Sequence, residues 1–375
     1  MKRREFLKSS AAGLTAAGLS PLLGGCSGPV GRDDFPASES TASLGDRLDP
    51  VSCEMLYLAS LAPSGHNAQP WQVRIDRPDR WFLDLAPQRQ LPAVDPARRE
   101  ALLSAGAFLE NLAEAGRHHG RPVELAGVGK AKGLAVLFVG SSDERTADLQ
   151  AITRRRTLRG PFAPRRIRRG DIAELLRNTP STVYFPAGSR ESGWLDEATV
   201  EAVAMQCRRK PVMEELSEWI HWSDEAARKH RTGLTPAAMG IGGFAGWWTR
   251  HFFEPDDVLS ASFARATIRQ TAEEIGSSGG WIVVTGAGDS AEDLLNAGRQ
   301  CERLWLRARS ADVGIHPMSQ ALEEEPWRTE IGDRLGLDES PQLLLRVGYA
   351  ARYPSPVSLR LPLDNFVTVS SGSDV

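Results

Sequence analysis

The spacing of apolar residues near the start of the folded part predicts a helix followed by two paired strands. From Val51 to Leu61, apolar residues recur at close to helical spacing, and the pattern stops just before Pro63. Because the residue before a proline disfavours helical geometry, we expect the helix to end there and a loop to follow. Residues 72–76 and 81–85 then alternate polar and apolar side chains, which predicts a pair of strands.

Two longer helices and three buried strands are predicted further along the chain. Apolar stripes at residues 102–115 and 294–308 each follow helical spacing. Short apolar runs typical of buried strands occupy residues 134–139, 281–285 and 342–348. The second part of the chain thus repeats the theme of the first, although no repetition of the sequence itself is apparent.

The least regular segment covers residues 233–257. Within it, residues 239–248 hold four glycines among aromatic side chains. A mobile apolar segment of this kind favours a lid that excludes water from a reactive site. A subunit interface or a separate hydrophobic cluster is the alternative, and a membrane-facing patch is a third.

The N-terminal residues 1–26 have the pattern of an export signal. Paired arginines precede an Ala/Gly-rich run that is too short for a membrane span. The pattern resembles a twin-arginine signal, which predicts the twin-arginine export machinery as a partner and a periplasmic location. Leu23 to Cys26 resembles a lipoprotein cleavage site, so Cys26 is either a lipidated membrane anchor or an incidental residue. Residues 27–46, rich in Ser, Asp, Gly and Pro, are expected to form a flexible tether.

Composition and motif content exclude several classes of function. The formal net charge of −3 gives no drive toward nucleic acid. Besides Cys26, the cysteines are Cys53, Cys207 and Cys301, and their wide spacing predicts neither a metal site nor a disulfide framework. No nucleophile elbow, zinc-protease motif or Walker-type loop is found. The chemistry must therefore come from other residues or from a cofactor.

Two distant segments carry residue types suited to one planar, phosphorylated ligand. Residues 63–71 form a Pro-Ser-Gly loop whose amide side chains can meet the edge of a heterocycle. Residues 154–162 combine arginines with a hydroxyl group, and guanidinium forks match phosphate oxygens. Each segment also has a simpler interpretation, as an ordinary turn and as a solvated basic face.

With these two motifs, the chain resembles the FMN-binding nitroreductase fold and, within it, the Acg-like branch. Pro63 to Trp71 matches the family pattern Pro-Ser-x-x-Asn-x-Gln-Pro-Trp, with Gly65 where serine is commonest. Residues 155–162 match Arg-x-Ser-x-Arg/Lys-x-Phe, with Thr157 for serine and one extra residue before the phenylalanine. The resemblance covers roughly residues 48–368. It implies an α+β fold of mixed β-sheets flanked by helices.

The resemblance also implies how the chain is divided and where FMN binds. Two nitroreductase-like halves, 47–145 and 146–368, are expected to be fused as a pseudo-dimer with one flavin site, and the second half contains the segment 233–257 in which a lid is favoured on composition. The expected cofactor-binding residues are Pro63, Ser64, Gly65, Asn67, Gln69, Arg155, Thr157, Arg159, Pro317, Met318, Ser319 and Arg360. By resemblance, the loop that holds residues 317–319 lies beside the flavin ring and Arg360 reaches the phosphate. His66 is either a proton donor to the substrate or a solvated loop histidine.

The implied function is the reduction of a nitroaromatic, a quinone or a similar electrophile, because bound FMN itself supplies hydride transfer. A protein that sequesters or carries flavin with little turnover is the alternative, and a scaffold without cofactor is a third. An exported enzyme would lack NAD(P)H, so either a membrane quinol or redox protein supplies electrons, or the activity differs from the family's. Fusion of the halves permits a monomer, and a homodimer stays open.

Overall fold

The computed structural model describes residues 28–129, 134–144, 149–179 and 181–370. The export signal at 1–26, including Cys26, and the boundary between residues 145 and 146 lie outside these ranges. Within the ranges, no helix combines the length and the apolar content that crossing a membrane requires.

The first sheet contains the strands that the early alternation predicts, together with a strand from the end of the chain. Its members are β1 (Trp71–Arg77), β2 (Arg80–Leu85), β3 (Val123–Val128), β4 (Ala135–Val139) and β9 (Val367–Val369). The order across the sheet is β3-β4-β2-β1-β9. β9 runs parallel to β1, whereas the other neighbours are antiparallel. This sheet is mixed, as expected.

The second sheet consists of β5 (Thr182–Pro186), β6 (Gly280–Gly286), β7 (Val313–Pro317) and β8 (Ser340–Tyr349), in the order β5-β6-β8-β7. Every neighbouring pair is antiparallel, so the expectation of a mixed sheet is wrong for this one. The reason is that the parallel strand β9, supplied by the end of the chain, joins the first sheet. β6 is buried along its whole length, as its continuous apolar run predicts.

Helices flank both sheets, which confirms the α+β class. They are α1 (Ala37–Ala42), α2 (Pro50–Ser60), α3 (Arg99–His118), α4 (Leu149–Arg154), α5 (Arg169–Leu176), α6 (Arg190–Gln206), α7 (Lys210–Trp219), α8 (Asp224–His230), α9 (Gly243–Phe252), α10 (Ala261–Gly276), α11 (Ala291–Ser310) and α12 (Trp327–Leu335).

The two sheets share one strand order. The sequence β3-β4-β2-β1 in the first sheet corresponds to β7-β8-β6-β5 in the second, with the same antiparallel neighbours. In each sheet, a long helix leaves the second strand and leads to the third. These helices are α3 and α11. The architecture of the chain is therefore repeated.

α3 and α11 pack against each other where glycines let their backbones approach. A Cβ atom added at Gly106 would lie 2.1 Å from the carbonyl oxygen of Leu295, and one at Gly298 would lie 2.0 Å from that of Leu103. No side chain fits at these distances, so glycine is needed at both positions. The contact is reciprocal, because each glycine meets the leucine three residues before the opposite glycine.

Alignment of these helices by their reciprocal contact reveals a repeat that sequence analysis missed. Both helices have 20 residues, so residue 99 corresponds to residue 291. Eight positions are identical: Glu100/Glu292, Leu102/Leu294, Leu103/Leu295, Ala105/Ala297, Gly106/Gly298, Glu110/Glu302, Leu112/Leu304 and Arg117/Arg309. The crossing helices thus carry the same contact residues at the same places.

Each sheet has its own hydrophobic core, and each long helix contributes a leucine to the opposite core. Leu295 of α11 belongs to the core built around Trp71 and Phe108. Leu103 of α3 belongs to the core built around Trp305. Because contiguous contacts of this kind define a core, the exchange of leucines joins the two cores into one packed interior.

Residues 28–46 pack on the body of the protein, so the expectation of a flexible tether is wrong for them. Val30 and Leu44 are buried. The guanidinium carbon of Arg231 lies 3.8 Å from the centre of the Phe35 ring, and Arg231 pairs with Glu39 at 2.5 Å. The physical reason is that a few apolar residues in a polar segment bury enough surface to hold it in place.

Candidate functional site

The loop after α2 has an unusual backbone. His66, Asn67 and Gln69 have φ angles of 50°, 54° and 54°, in the left-handed region that most residues avoid. Ser64 supports the turn, because its Oγ accepts a hydrogen bond from the Gln69 amide at 3.0 Å. Such conformations persist only where surrounding contacts hold them. The backbone of this loop is therefore held by specific contacts, which an ordinary turn does not require.

Asn67 holds the loop against two distant segments. Its Nδ2 donates to the carbonyl oxygens of Gly233 at 3.1 Å and Leu359 at 3.2 Å. Its Oδ1 accepts a hydrogen bond from Arg360 Nη1 at 2.9 Å. Both amide protons are thus used within the protein, which leaves one acceptor lone pair of Oδ1 for a ligand.

Gln69 has a matching role. Its Nε2 donates to the Arg231 carbonyl at 2.8 Å and to the Asn67 carbonyl at 3.4 Å, and its Oε1 accepts from the Leu361 amide at 3.0 Å. The side chain is fully buried. The two amides that the motif contributes therefore position the loop, the start of the 233–257 segment and the C-terminal residues relative to one another.

Arg360 lies at the junction of these segments. Its guanidinium donates to Asn67 Oδ1 and to four backbone carbonyls, those of Ser60, Leu61, Ala62 and Leu359, at 2.5–3.0 Å. Burial lowers the pKa of Arg360 well below its usual range, and repulsion from Arg155 and Arg32 lowers it further. The residue predicted to reach the phosphate is thus a buried cation in an excess of positive charge.

Arg155 meets Arg360 at a shared acceptor. Its Nη2 donates to the Leu61 carbonyl at 2.5 Å, the same oxygen that accepts from Arg360. Its Nε lies 3.0 Å from Oε1 of Glu302, and both side chains are buried. Burial raises the pKa of Glu302 to about 7, although Arg155 opposes the rise. Near neutral pH this glutamate cannot fully neutralise two buried guanidinium groups.

The other residues of the arginine motif face the 233–257 segment and β7. Arg159 Nη1 donates to the Ala238 carbonyl at 2.7 Å, and burial lowers the pKa of Arg159. Arg156, which the sequence analysis does not select, donates to the Ala237 carbonyl at 3.0 Å. Thr157 forms a parallel bridge with Ile315. The motif therefore joins the proposed lid to the strand before residues 317–319.

Residues 317–319 are held by the second sheet. The Met318 amide donates to the Leu344 carbonyl at 2.8 Å, and the Ser319 Oγ accepts from the Leu344 amide at 3.1 Å. Met318 is buried within the core around Trp281. Pro317 ends β7 and is partly exposed. These positions are firmly fixed next to the arginine motif, but two of the three side chains face the protein interior.

A buried glutamate–histidine pair that sequence analysis missed anchors the arginine motif. Glu274 of α10 accepts from the Gly160 amide at 3.0 Å, and His316 Nδ1 lies 3.2 Å from its other oxygen. Burial alone would raise the pKa of Glu274, but the hydrogen bond with His316 and the charge of Arg346 bring it to about 2. Burial lowers the pKa of His316 to about 4. The carboxylate is therefore ionised and the imidazole neutral at pH 7.

His66 is not a solvated loop residue. Its Nδ1 is buried and has no hydrogen-bond partner among the described residues. Burial lowers the pKa of His66, with Glu100 opposing and Arg159 adding to the effect. A Cβ atom at the neighbouring Gly65 would lie 2.8 Å from Glu100 Oε2. The unpaired buried nitrogen is therefore a group that a ligand in this loop could hydrogen-bond.

Among the described residues, no group of three or more His, Cys, Asp or Glu side chains is arranged to hold a metal ion. Cys53 and Cys301 are buried and Cys207 is partly buried, and all three are free thiols.

No protein-family model matches the chain. Similar proteins include PigM of Serratia sp., named as a probable NAD(P)H nitroreductase, with 25% identity across 81% of this chain and 90% of that protein. Rv3131 of Mycobacterium tuberculosis, also named as an NAD(P)H nitroreductase, shares 28% identity across 81% of this chain and 86% of its own length. The acg protein of the same organism carries a similar name and shares 26% identity across 82% and 92%.

Solved structures give a weaker likeness. The FMN-dependent nitroreductase NfnB of Mycobacterium smegmatis, in complex with NADPH, is 14% identical and covers 59% of this chain and 97% of its own, with a TM-score of 0.38. A nitroreductase of Desulfitobacterium hafniense with bound FMN is 14% identical over 60% and 97%, with a TM-score of 0.34. At such TM-scores no assignment rests on these structures.

Proposed function

We propose that this protein is an FMN-dependent oxidoreductase of the nitroreductase superfamily that reduces a nitroaromatic, a quinone or a similar electrophile. The observation that carries the proposal is the meeting of four distant segments. Arg360 donates directly to Asn67 of the loop at 63–69, and Thr157 of the arginine motif pairs with Ile315 of β7. Arg155 and Arg360 are joined through the Leu61 carbonyl, to which both donate. Similarity to relatives named as NAD(P)H nitroreductases, over four-fifths of the chain, supports the same conclusion.

The buried charges suit the phosphate of FMN. Arg155 and Arg360 are more than nine-tenths buried, and Arg32 adds a third positive charge nearby. Removing such charges from water is costly unless an anion compensates them, and Glu302 does so only in part. A phosphate group supplies the missing negative charge. The positive charge at this place therefore fits the cofactor, while all five N–H groups of Arg360 already donate within the protein.

Bound FMN would supply hydride transfer, so the chain itself need only hold it, exclude water and deliver a proton. Asn67 and Gln69 fix the loop through side-chain amide groups whose N–H donors are all used within the protein. Arg155 and Arg360 would compensate the negative charge of the phosphate. His66 has a buried, unpaired Nδ1 beside Gly65 and would hydrogen-bond the cofactor or donate a proton to the substrate.

We further propose that residues 47–145 and 146–368 are two fused nitroreductase-like halves that share one flavin site. The repeated strand order, the eight identities between α3 and α11 and the reciprocal glycine contacts support this division. The arginine motif follows the first half, while Asn67 and Arg360 come from opposite ends of the chain. One site then needs both halves.

The segment at 233–257 is proposed as the lid of this site. Its first residues receive hydrogen bonds from Asn67, Arg156 and Arg159, through the carbonyls of Gly233, Ala237 and Ala238. A segment attached to both motifs is well placed to exclude water from a reduced flavin.

The export signal and a lipid on Cys26 are retained as proposals. They predict a periplasmic enzyme whose electrons come from a membrane quinol or redox protein. NAD(P)H, which the names of the relatives suggest, is the donor if the chain acts in the cytoplasm.

The phosphate assignment is tested with two variants and a control. Arg155→Gln leaves Glu302 without its partner, so Arg155→Gln combined with Glu302→Gln removes the pair without stranding a charge. We expect FMN affinity to fall at least about tenfold in the double variant, because a buried compensating charge is lost. The exposed neighbour Arg154, changed to Gln, should leave affinity unchanged. Equal FMN retention in all three, by flavin absorbance after gel filtration, would overturn the assignment.

Reduction of the bound flavin tests the activity. Under anaerobic conditions, NAD(P)H or a quinol should bleach the flavin, and a nitroaromatic or quinone should restore its colour. Tightly bound flavin that neither donor bleaches would instead indicate a protein that sequesters flavin.

A further inference from the structure

The outer face of α9 carries an aromatic stripe that the proposed reaction does not use. Phe244, Trp247, Trp248, His251 and Phe252 follow helical spacing along one side of the helix, and we call this stripe the aromatic ridge. Its rings stack on one another, with centroids 5.7 Å apart for Phe244 and Trp247 and 4.3 Å apart for Trp248 and Phe252. The ridge is a continuous surface of aromatic side chains.

The ridge faces outward. Phe244 is 69% exposed and Phe252 is 41% exposed, whereas Gly246 and Thr249 on the opposite side of α9 are buried against the body. Contiguous apolar surface of this kind on a folded protein marks an interaction site. The buried side is small and polar, so the helix presents its largest side chains to whatever binds there.

The aromatic composition of the ridge favours a membrane surface. Tryptophan and phenylalanine are typical of the interface between lipid headgroups and acyl chains. Residues 231–253 contain no aspartate or glutamate, although Glu254 follows directly. The ionisable groups of α9 are Arg250, which pairs with Asp224, and His251.

The first described residues lie beside the same helix. The Val30 amide donates to Asp224 Oδ1 at 3.2 Å, and the other oxygen of Asp224 lies 3.6 Å from Arg250 Nε of α9. Cys26 precedes Val30 by four residues in the sequence, and a chain of that length spans at most about 14 Å. A lipid on Cys26 would therefore enter a bilayer close to α9.

We propose that the aromatic ridge of α9 inserts into the interface of a lipid bilayer and forms a second membrane contact beside the N-terminal anchor. A single acyl chain binds membranes only marginally, and stable attachment takes a second apolar or basic element. The ridge supplies that element. The consequence is that the proposed lid, of which α9 is part, lies at the membrane, where apolar quinones and quinols are dissolved.

The test uses the full chain with Cys26→Ser, so that no lipid contributes, and neutral phosphatidylcholine vesicles. Replacing Phe244 and Phe252 together by serine should lower the vesicle partition coefficient about tenfold or more, because two exposed rings leave the interface. Phe138, which is 45% exposed on β4, provides the matched control, and Phe138→Ser should leave partitioning unchanged. Unchanged near-ultraviolet circular dichroism would show that each variant is folded.

Two further readouts identify the occupant. Brominated lipids should quench the emission of Trp247, measured as the difference between the Cys26→Ser chain and the same chain with Trp247→Tyr. Equal partitioning of the ridge variant and the Phe138 control would overturn the proposal, since the apolar N-terminal run would then bind alone. A ridge variant that becomes monomeric in sedimentation equilibrium, with unchanged vesicle binding, would assign the ridge to a second copy of the chain and overturn it as well.

Discussion

The two sheets have the same strand order but differ in how their first two strands are joined. Between β1 and β2 the chain makes a tight turn at residues 78–79, whereas between β5 and β6 it runs through residues 187–279 and forms α6 to α10. That insertion contains the 233–257 segment and Glu274, which holds the arginine motif. The two sheets therefore share a framework, while the insertion of the second one holds residues that contact the arginine motif and the loop at 63–69.

The equivalent glutamates of the two long helices show the same contrast. Glu110 of α3 pairs with the partly exposed Arg299 and Arg303, at 3.1 and 2.9 Å, and more distantly with Arg117 at 3.8 Å. Glu302 of α11 pairs with the buried Arg155. The first glutamate is thus surrounded by solvent-connected cations. The second lies where we propose that an anion binds.

The largest loss of stability is expected when one of the two leucines exchanged between the cores is shortened to alanine. Leu295→Ala should reduce the free energy of unfolding by about 3 kcal/mol, because a fully buried leucine leaves a cavity. Leu103→Ala should cost a similar amount. Urea unfolding followed by circular dichroism measures both. If each half were an independent unit, the two variants would give separate transitions in different halves, whereas the shared interior predicts one transition.

Low pH should destabilise the folded protein around the second sheet. The cause is the pair formed by Glu274, in the insertion between β5 and β6, and His316 of β7. The folded-state pKa values of His316 and Glu274 are about 4 and about 2, below their ordinary values. The unfolded chain therefore binds more protons, so His316 loses its stabilising contribution between pH 6.5 and about 4, and Glu274 between pH 4.5 and about 2. Each contribution is on the order of 3 kcal/mol.

His316→Gln checks this expectation, because glutamine keeps a donor but does not titrate. The unfolding free energy of this variant should change less between pH 7 and pH 4 than that of the unmodified chain. Exposed His251, changed to Gln, is the control and should leave the slope as it is. An unchanged slope in His316→Gln would remove the pair from the account.

The smallest loss of stability is expected for glycine-to-alanine changes where α3 and α11 cross. Gly298→Ala should cost about 1 to 3 kcal/mol, because its Cβ would meet a backbone carbonyl and the helices must move apart. Gly106→Ala should behave alike. Gly193 of α6 has open space around it, so Gly193→Ala should be neutral or stabilising. Equal stability of all three variants in urea would contradict the close approach of α3 and α11.

Much of the framework was predictable from local pattern. β1 and β2 follow from period-two alternation, β4, β6 and β8 from continuous apolar runs, and the two long helices from helical spacing. All three patterns depend on near neighbours. The apolar residues Val30, Phe35 and Leu44 are also present in the sequence, but the polar composition of the residues around them predicted a flexible tether. The repeat between α3 and α11 was hidden because its eight identities are confined to 20 residues and the second half contains a long insertion.

The site was predictable as a set of segments rather than as a set of contacts. The motifs named Asn67, Gln69, Arg155 and Arg360, and the fold brings them together. Their hydrogen-bond partners could not be read from spacing, because they lie up to 300 residues away. Glu302 left a local signal, as a carboxylate on the apolar stripe of α11. Glu274 left none, because its role depends on where α10 packs.

The number of FMN molecules bound per chain tests the proposal that one flavin site takes residues from both halves. After reconstitution with FMN and gel filtration, flavin absorbance against protein concentration should give one FMN per chain, because one site takes residues from both halves. The variant Arg155→Gln with Glu302→Gln should lose that flavin. Two flavins per chain would mean that each half binds its own cofactor, and no flavin after reconstitution would contradict the proposed function.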